Sequence, residues 1–264
     1  MEKSKIEWTD YTWNPVTGCK RGCPYCYAEK ISKRFCGDIR YNKITADYTE
    51  ENGIYAIEKE IIGRNGRSVT YPFGFAPTLH KERLFKSCKP AMVKKPSTFF
   101  VCSTADLFGE WVPDEWIEQV FKICEENPRH RYMFLTKNPD RYSKLANTGN
   151  LPLNENFWYG TSVTKKGDKF FGGRFRDNIF LSIEPLLEHL DVGLGSFGRA
   201  TLIIVGAETG TRKGKVTPRR EWIENIIETA KITHADVFFK DSKEIREVWG
   251  DELIQKLPWG ESDG

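Results

Sequence analysis

Seven short apolar runs, rich in β-branched and aromatic residues, punctuate this chain, and amphipathic segments separate most of them. They are Phe73 to Leu79, Thr98 to Ser103, Tyr132 to Thr136, Phe157 to Val163, Ile179 to Ile183, Leu202 to Val205 and Asp236 to Phe239. Helices fit the intervals where Pro113, Pro139 and Pro218 suit a first helical position, since proline there loses no internal hydrogen bond. One interval carries Trp116, Ile117, Val120, Phe121 and Cys124 at helical spacing, and another Trp222, Ile223, Ile226, Ile227 and Ala230. Alternation of strand and helix argues a parallel sheet, wound into a barrel or left open. With the opening segment Ile6 to Trp13 the strands number about eight, and a barrel of roughly 250 residues suits the length. The expectation is an α/β chain forming one domain over residues 1–264, a (β/α) barrel that is partial or closed in the TIM manner.

Residues 36 to about 72 break this rhythm. The run from Ile61 to Tyr71 reads as a β-hairpin, because Asn65-Gly66 suits a type I′ turn with positive φ at both central residues. The section is expected to be an insertion, serving as a lid, a substrate-recognition flap or plain surface decoration.

The most pointed chemistry lies ahead of it. Three of the seven cysteines fall within Gly18-Cys19-Lys20-Arg21-Gly22-Cys23-Pro24-Tyr25-Cys26-Tyr27, with two glycines free to take unusual backbone angles. Three thiolates so spaced can converge on one metal centre that lacks a fourth protein ligand, as in a 4Fe-4S cluster with one open iron. A structural zinc site would need completion by Cys36, Cys88, Cys102, Cys124 or one of four histidines, and spacing alone does not separate the two readings. Cys102 and Cys124 sit in apolar runs as core thiols. A helix beginning at Pro24 should follow the loop, with Tyr27, Ala28, Ile31 and Phe35 facing inward.

Polar residues gather after each apolar run: Ser103-Thr104-Ala105-Asp106, Thr136-Lys137-Asn138, Thr161-Ser162, Ser182-Ile183-Glu184, Gly206-Ala207-Glu208 and Lys240-Asp241. Active sites of (β/α) barrels are built from these strand ends, which the cysteine loop would share. Asp106, Glu184 and Glu208, with Lys137, are the candidate catalytic groups, since a charge directly after an apolar strand needs a partner or a polar cavity. Two basic loops, Lys165 to Arg176 and Thr211 to Lys215, the second ahead of Thr217 as a helix N-cap, would suit phosphate contact or lie solvated. The formal charge of +3 permits nucleic acid as a partner. No apolar run is long enough to span a bilayer and no signal-peptide core follows the N-terminus, so the cytoplasm is the expected compartment.

The spacing Cys-x3-Cys-x2-Cys, with Tyr25 before the last cysteine, resembles the signature of the radical S-adenosylmethionine (SAM) superfamily. More of the chain follows suit: Ile6-Glu7-Trp8-Thr9, Thr12-Trp13-Asn14-Pro15-Val16-Thr17-Gly18-Cys19, Asp106-Leu107-Phe108, Leu135-Thr136-Lys137, Ser182-Ile183-Glu184-Pro185-Leu186-Leu187, Val205-Gly206-Ala207-Glu208 and Phe238-Phe239-Lys240 resemble a phage and prophage family of unsettled function labelled radical-SAM-like. The resemblance implies a 4Fe-4S cluster on Cys19, Cys23 and Cys26, SAM as cofactor and a low-potential electron donor such as flavodoxin or ferredoxin. It further implies that the Tyr25 backbone meets adenine, and that Ser103, Thr136 and Ser162 meet the ribose and carboxylate of SAM. No Gly-Gly-Glu triplet of the kind that holds the SAM amino group occurs here. A nucleobase or nucleic acid is the expected substrate, and the competing reading is a zinc-stabilised nucleic-acid-binding protein without catalysis.

Overall fold

The structure, a computed structural model, describes residues 3–85, 88–172, 178–190 and 199–260. In chain order its strands are β1 (Tyr11–Trp13), β2 (Val16–Thr17), β3 (Tyr48–Glu51), β4 (Ile54–Ile57), β5 (Thr78–His80), β6 (Thr98–Val101), β7 (Arg131–Thr136), β8 (Phe157–Ser162), β9 (Asn178–Ile183), β10 (Leu202–Val205) and β11 (Asp236–Phe239). The helices are α1 (Tyr27–Phe35), α2 (Ile39–Thr45), α3 (Lys89–Met92), α4 (Asp114–Glu125), α5 (Pro139–Thr148), α6 (Arg220–Thr233) and α7 (Lys243–Trp249), with a 3-10 turn over Lys81–Leu84. Seven strands follow the order β1-β6-β7-β8-β9-β10-β11, and β1 with β6 and β8 through β11 pair in parallel. This is the α/β sheet order of a partial (β/α) barrel, with β1 and β11 as its ends.

Contacts group the chain into residues 11–132 and residues 1–10 with 133–264. In the second unit β8 to β11 are buried almost throughout, as expected for strands covered on both faces. Gly160 of β8 is required there, because a Cβ at that position would run into the Phe180 ring of β9. Phe134, Tyr142, Tyr159 and Phe171 pack ring to ring in the same core. Pro139 opens α5 as expected, but Pro218 lies two residues ahead of α6 and Arg219, not Thr217, is its N-cap residue.

In the first unit α4 buries Trp116, Ile117, Val120, Phe121 and Cys124, the face its spacing predicts. A second sheet, in order β2-β5-β4-β3, builds the inserted section onto the strand that leads into the cysteine loop. Tyr55, Ile57, Ile61 and Phe73 give that section a core of its own, with Tyr55 and Phe73 stacked at 4.1 Å.

The main hairpin lies upstream of the expected one, which is present only as a short antiparallel pairing of Ile61 to Gly63 with Arg67 to Val69. Asn52-Gly53 joins β3 to β4 with φ of 51° and 68°, as a type I′ turn requires. At Asn65-Gly66 only the glycine has positive φ, and the flanks share a single bridge, Ile62 with Ser68. The Asn65 side chain is engaged instead, its Oδ1 accepting the Arg67 N–H at 3.1 Å. The expected strand from Phe73 to Leu79 is likewise confined to β5, the residues before it forming turns.

Candidate functional site

The cysteine loop is shaped by its backbone. Gly18 takes φ of 83°, and any Cβ there would collide with the carbonyl of Ala76, so the residue between β2 and the first thiol must be glycine. The Cys19 N–H donates to the Phe75 carbonyl at 3.0 Å, and that of Gly18 donates to the Thr104 carbonyl at 3.1 Å. The turn after β6 is thereby drawn against the loop, with Gly18 and Ala105 forming a parallel bridge. Cys102, at φ of 56°, turns the chain sharply enough to bring Ser103 to Asp106 there.

Cys19, Cys23 and Cys26 are all free and half-buried. The Cys26 Sγ caps α1 by accepting the Glu29 N–H at 3.4 Å, which sets this thiol at the positive end of the helix dipole. The helix therefore starts at Tyr27 rather than Pro24, because the cap takes the residues before it out of the helix. Its inward face is Ala28 and Ser32, whereas Tyr27 and Phe35 are more than half exposed. The Cys19 Sγ accepts the Arg21 N–H at 3.4 Å; burial pushes this thiol up to about 12, and the nearby Asp106, Cys23 and Cys26 act in the same direction.

Each neighbour of the thiols is held by the loop or by the turn after β6. Asp106 is buried, accepts the Phe108 N–H through Oδ1, and sets Oδ2 at 3.7 Å from the Arg21 guanidinium. The Tyr27 hydroxyl donates to the Ser103 carbonyl, and the Ser103 hydroxyl donates to the Asn14 side chain at 3.1 Å. Lys20 reaches across to the Asn52 carbonyl in the turn of the β3–β4 hairpin at 2.6 Å. Tyr25 is half-buried in the middle of the loop.

Beneath the loop lies a polar group that no motif announces. Thr17 and His80, both nearly inaccessible, are joined through Nε2 at 2.9 Å, and His80 Nδ1 lies 3.2 Å from Glu82. Burial pushes His80 down to about 4, so the neutral ring donates to the Glu82 carboxylate and accepts from Thr17. Arg83, next in sequence, donates to the Asn14 carbonyl at 2.7 Å. A lone histidine gives no signal in sequence, and only the pairing of β2 with β5 brings it here.

The other candidates lie in the second unit, at the ends of β7 to β10. Glu184 and Lys240 pair over Gly206, where an added Cβ would sit 3.1 Å from the Glu184 side chain. Glu208, buried, is gripped in a fork by Arg212 at 2.5 and 2.7 Å, which holds its carboxyl below the usual range. Thr136 accepts the Asn138 N–H at 2.8 Å, Ser162 is buried at the end of β8, and Lys137 is half-buried.

The two basic loops are less available than expected. Arg212 serves Glu208, Lys215 pairs with Glu244 at 2.6 Å and Lys169 with Asp140 at 2.6 Å, while Phe171 is a core ring. The end of the first loop, residues 173–176, lies outside the described residues.

Among the described residues no three His, Cys, Asp or Glu side chains stand ready to hold a metal ion. The donor set nonetheless fits an iron–sulfur cluster in kind: three unpaired soft thiols on one loop, within electrostatic reach of one another. Cys102 and Cys124 are fully buried elsewhere in the core, as expected, and Cys36 gives its S–H to the carbonyls of Lys33 and Gly37.

No curated protein matches the chain. Among solved structures it is similar to a cysteine-to-serine mutant of spore photoproduct lyase, with 12% identity and a TM-score of 0.45 over 91% of this chain and 81% of that one. It is also similar to spore photoproduct lyase complexed with dinucleoside spore photoproduct, with 11% identity and a TM-score of 0.45 over 89% and 79%. Residues 3–255 match the model of the family described as "Protein of unknown function (DUF5131)", and the chain belongs to that family.

Proposed function

We propose that this protein is a radical SAM enzyme whose 4Fe-4S cluster is held by Cys19, Cys23 and Cys26 and whose substrate is a nucleobase or nucleic acid. The observation that carries the reading is the three-thiol loop itself, which follows β1 of the parallel sheet and β2 of the small second sheet and ends on the cap of α1. Three protein thiolates leave one iron open, which a closed zinc site would not. When bound, such a cluster supplies chelation of SAM and the single electron that cleaves its sulfonium bond.

The residues of the chain bind, orient and shield. Gly18 and the turn after β6 fix the loop, and while burial raises the Cys26 thiol above its ordinary value, the N–H groups at the α1 terminus act against that rise. Arg21, near the buried Asp106, offsets negative charge beside the thiols. Lys20, spent on the hairpin carbonyl, positions the inserted section over the loop's first turn. Tyr25 and Ser103 are the contacts we assign to SAM on this side, with Thr136 and Ser162 assigned on resemblance. We assign substrate or SAM to Asp106, Glu184 and Lys137; Glu208, gripped by Arg212, serves by holding the loop that follows β10.

The test is anaerobic, dithionite-reduced protein incubated with SAM, with and without DNA or nucleotides. Formation of methionine and 5′-deoxyadenosine, stimulated by nucleic acid, is the expected result. Protein with verified full cluster occupancy that makes no 5′-deoxyadenosine under any condition would sink the enzyme reading.

A further inference from the structure

Positive charge is concentrated directly after the cysteine loop. Residues 20–45 hold seven Lys or Arg and two acidic residues, a surplus of five in a chain whose total is +3. Several of these cations are spent locally: Lys20 on the hairpin carbonyl, Lys33 on Glu29, Lys43 on Tyr55 and Glu50. Lys30 and Arg34 on α1 and Arg40 on α2 are exposed, and among the described residues none forms an ion pair. Lys30 and Arg34 lie one turn apart on the helix face that also bears Tyr27, at i, i+3 and i+7. Phe35 stands 55% exposed beside them, with the Arg34 guanidinium 5.7 Å from its ring.

The turn at residues 63–67 extends the same surface. Arg64 joins it to α2 through Asp38 at 3.1 Å and lies over the Tyr41 ring, while Val69 sits against Gly37 at the junction of the two helices. Arg67 is exposed on that turn and also forms no ion pair among the described residues. Cations without an ion pair beside the exposed Phe35 ring suit a single strand: cations meet phosphates, and a ring stacks a base with little regard to sequence. An acidic protein would meet the charge but gives no reason for a large ring, Phe35, standing exposed beside the cations.

We infer that the face formed by α1, the start of α2 and the turn at 63–67 docks a single-stranded nucleic-acid segment, with phosphates on Lys30, Arg34, Arg40 and Arg67 and a base stacked on Phe35. This rests on the nucleic-acid reading of the substrate and not on the cluster, so it is tested apart from SAM cleavage. Fluorescence anisotropy of a labelled mixed-sequence DNA oligonucleotide, titrated across a salt series, reads it directly. Lys30→Glu combined with Arg34→Glu should weaken binding by tenfold or more and lower the salt slope by roughly 1.4, at about 0.7 per phosphate. Phe35→Ala should weaken it roughly tenfold with the slope unchanged. Lys231→Glu, on α6, should do neither, and the Cys23→Ala variant should still bind. Folding of each variant is checked by its urea midpoint.

Absence of binding to any single strand, or binding that Lys30→Glu with Arg34→Glu leaves intact, would overturn the inference. Equal binding of a polyglutamate chain would also overturn it, in favour of an acidic protein partner.

Discussion

His80 shows at the scale of one residue how the cysteine loop is supported from below. Its ring spans Thr17, two residues before Cys19, and Glu82. Burial depresses its pKa to about 4, while the unfolded chain takes up that proton near the ordinary value of 6.5. The stability that depends on neutral His80 is therefore complete above pH 6.5 and is lost as the pH falls from there toward 4, up to roughly 3 kcal/mol. Urea titrations of wild type and His80→Gln across that window should show the wild type losing stability more steeply, and equal slopes would refute the role. Neither this residue nor Arg83 could be read from the sequence, since a buried polar link depends on a strand pairing no local pattern reveals. The closeness of the three thiols could be read, because they share one short loop in the sequence; so could the burial of Asp106, as a charge directly after an apolar strand. Glu208 was legible as a buried carboxylate but not its grip by Arg212, which turns it from an open group into a loop clamp.

Among the elements, the hairpin is the instructive one. The chain holds two Asn-Gly pairs in the inserted section, and only tertiary context decides which becomes a type I′ turn. Tyr55 and Ile57 bury against Phe73, which fixes β3 and β4 as the paired strands and leaves Asn65 to bond locally. Asn52→Ala must hold a Cβ residue at positive φ without the side chain's help, a cost of about 1 kcal/mol. Asn65→Ala gives up one exposed side-chain bond and should cost less, on the order of 0.5 kcal/mol. Urea midpoints check this, and a larger loss at Asn65 would show the turn assignment to be wrong. Strands buried on both faces, from β8 to β11, were legible nearly to the residue because their apolar runs are continuous. Helix α1 was not, since a cysteine rather than a proline sets its start.

For the molecule as a whole, the sequential parallel order of β6 to β11 puts the polar strand ends of each unit in one register, and the cysteine loop follows the first strands. That order followed from the alternation of runs alone. The small sheet of β2, β5, β4 and β3 did not, because its strands are short and carry no clear alternation. Function at this scale turns on whether the three thiols hold a cluster or a closed metal site. Iron and acid-labile sulfide, measured per chain on anaerobically purified and reconstituted protein, decide it. The proposed function predicts about four of each, lost in Cys23→Ala and kept in the Cys36→Ala, Cys88→Ala, Cys102→Ala and Cys124→Ala variants. Stoichiometric zinc without sulfide, or a full cluster retained in Cys23→Ala, would contradict it.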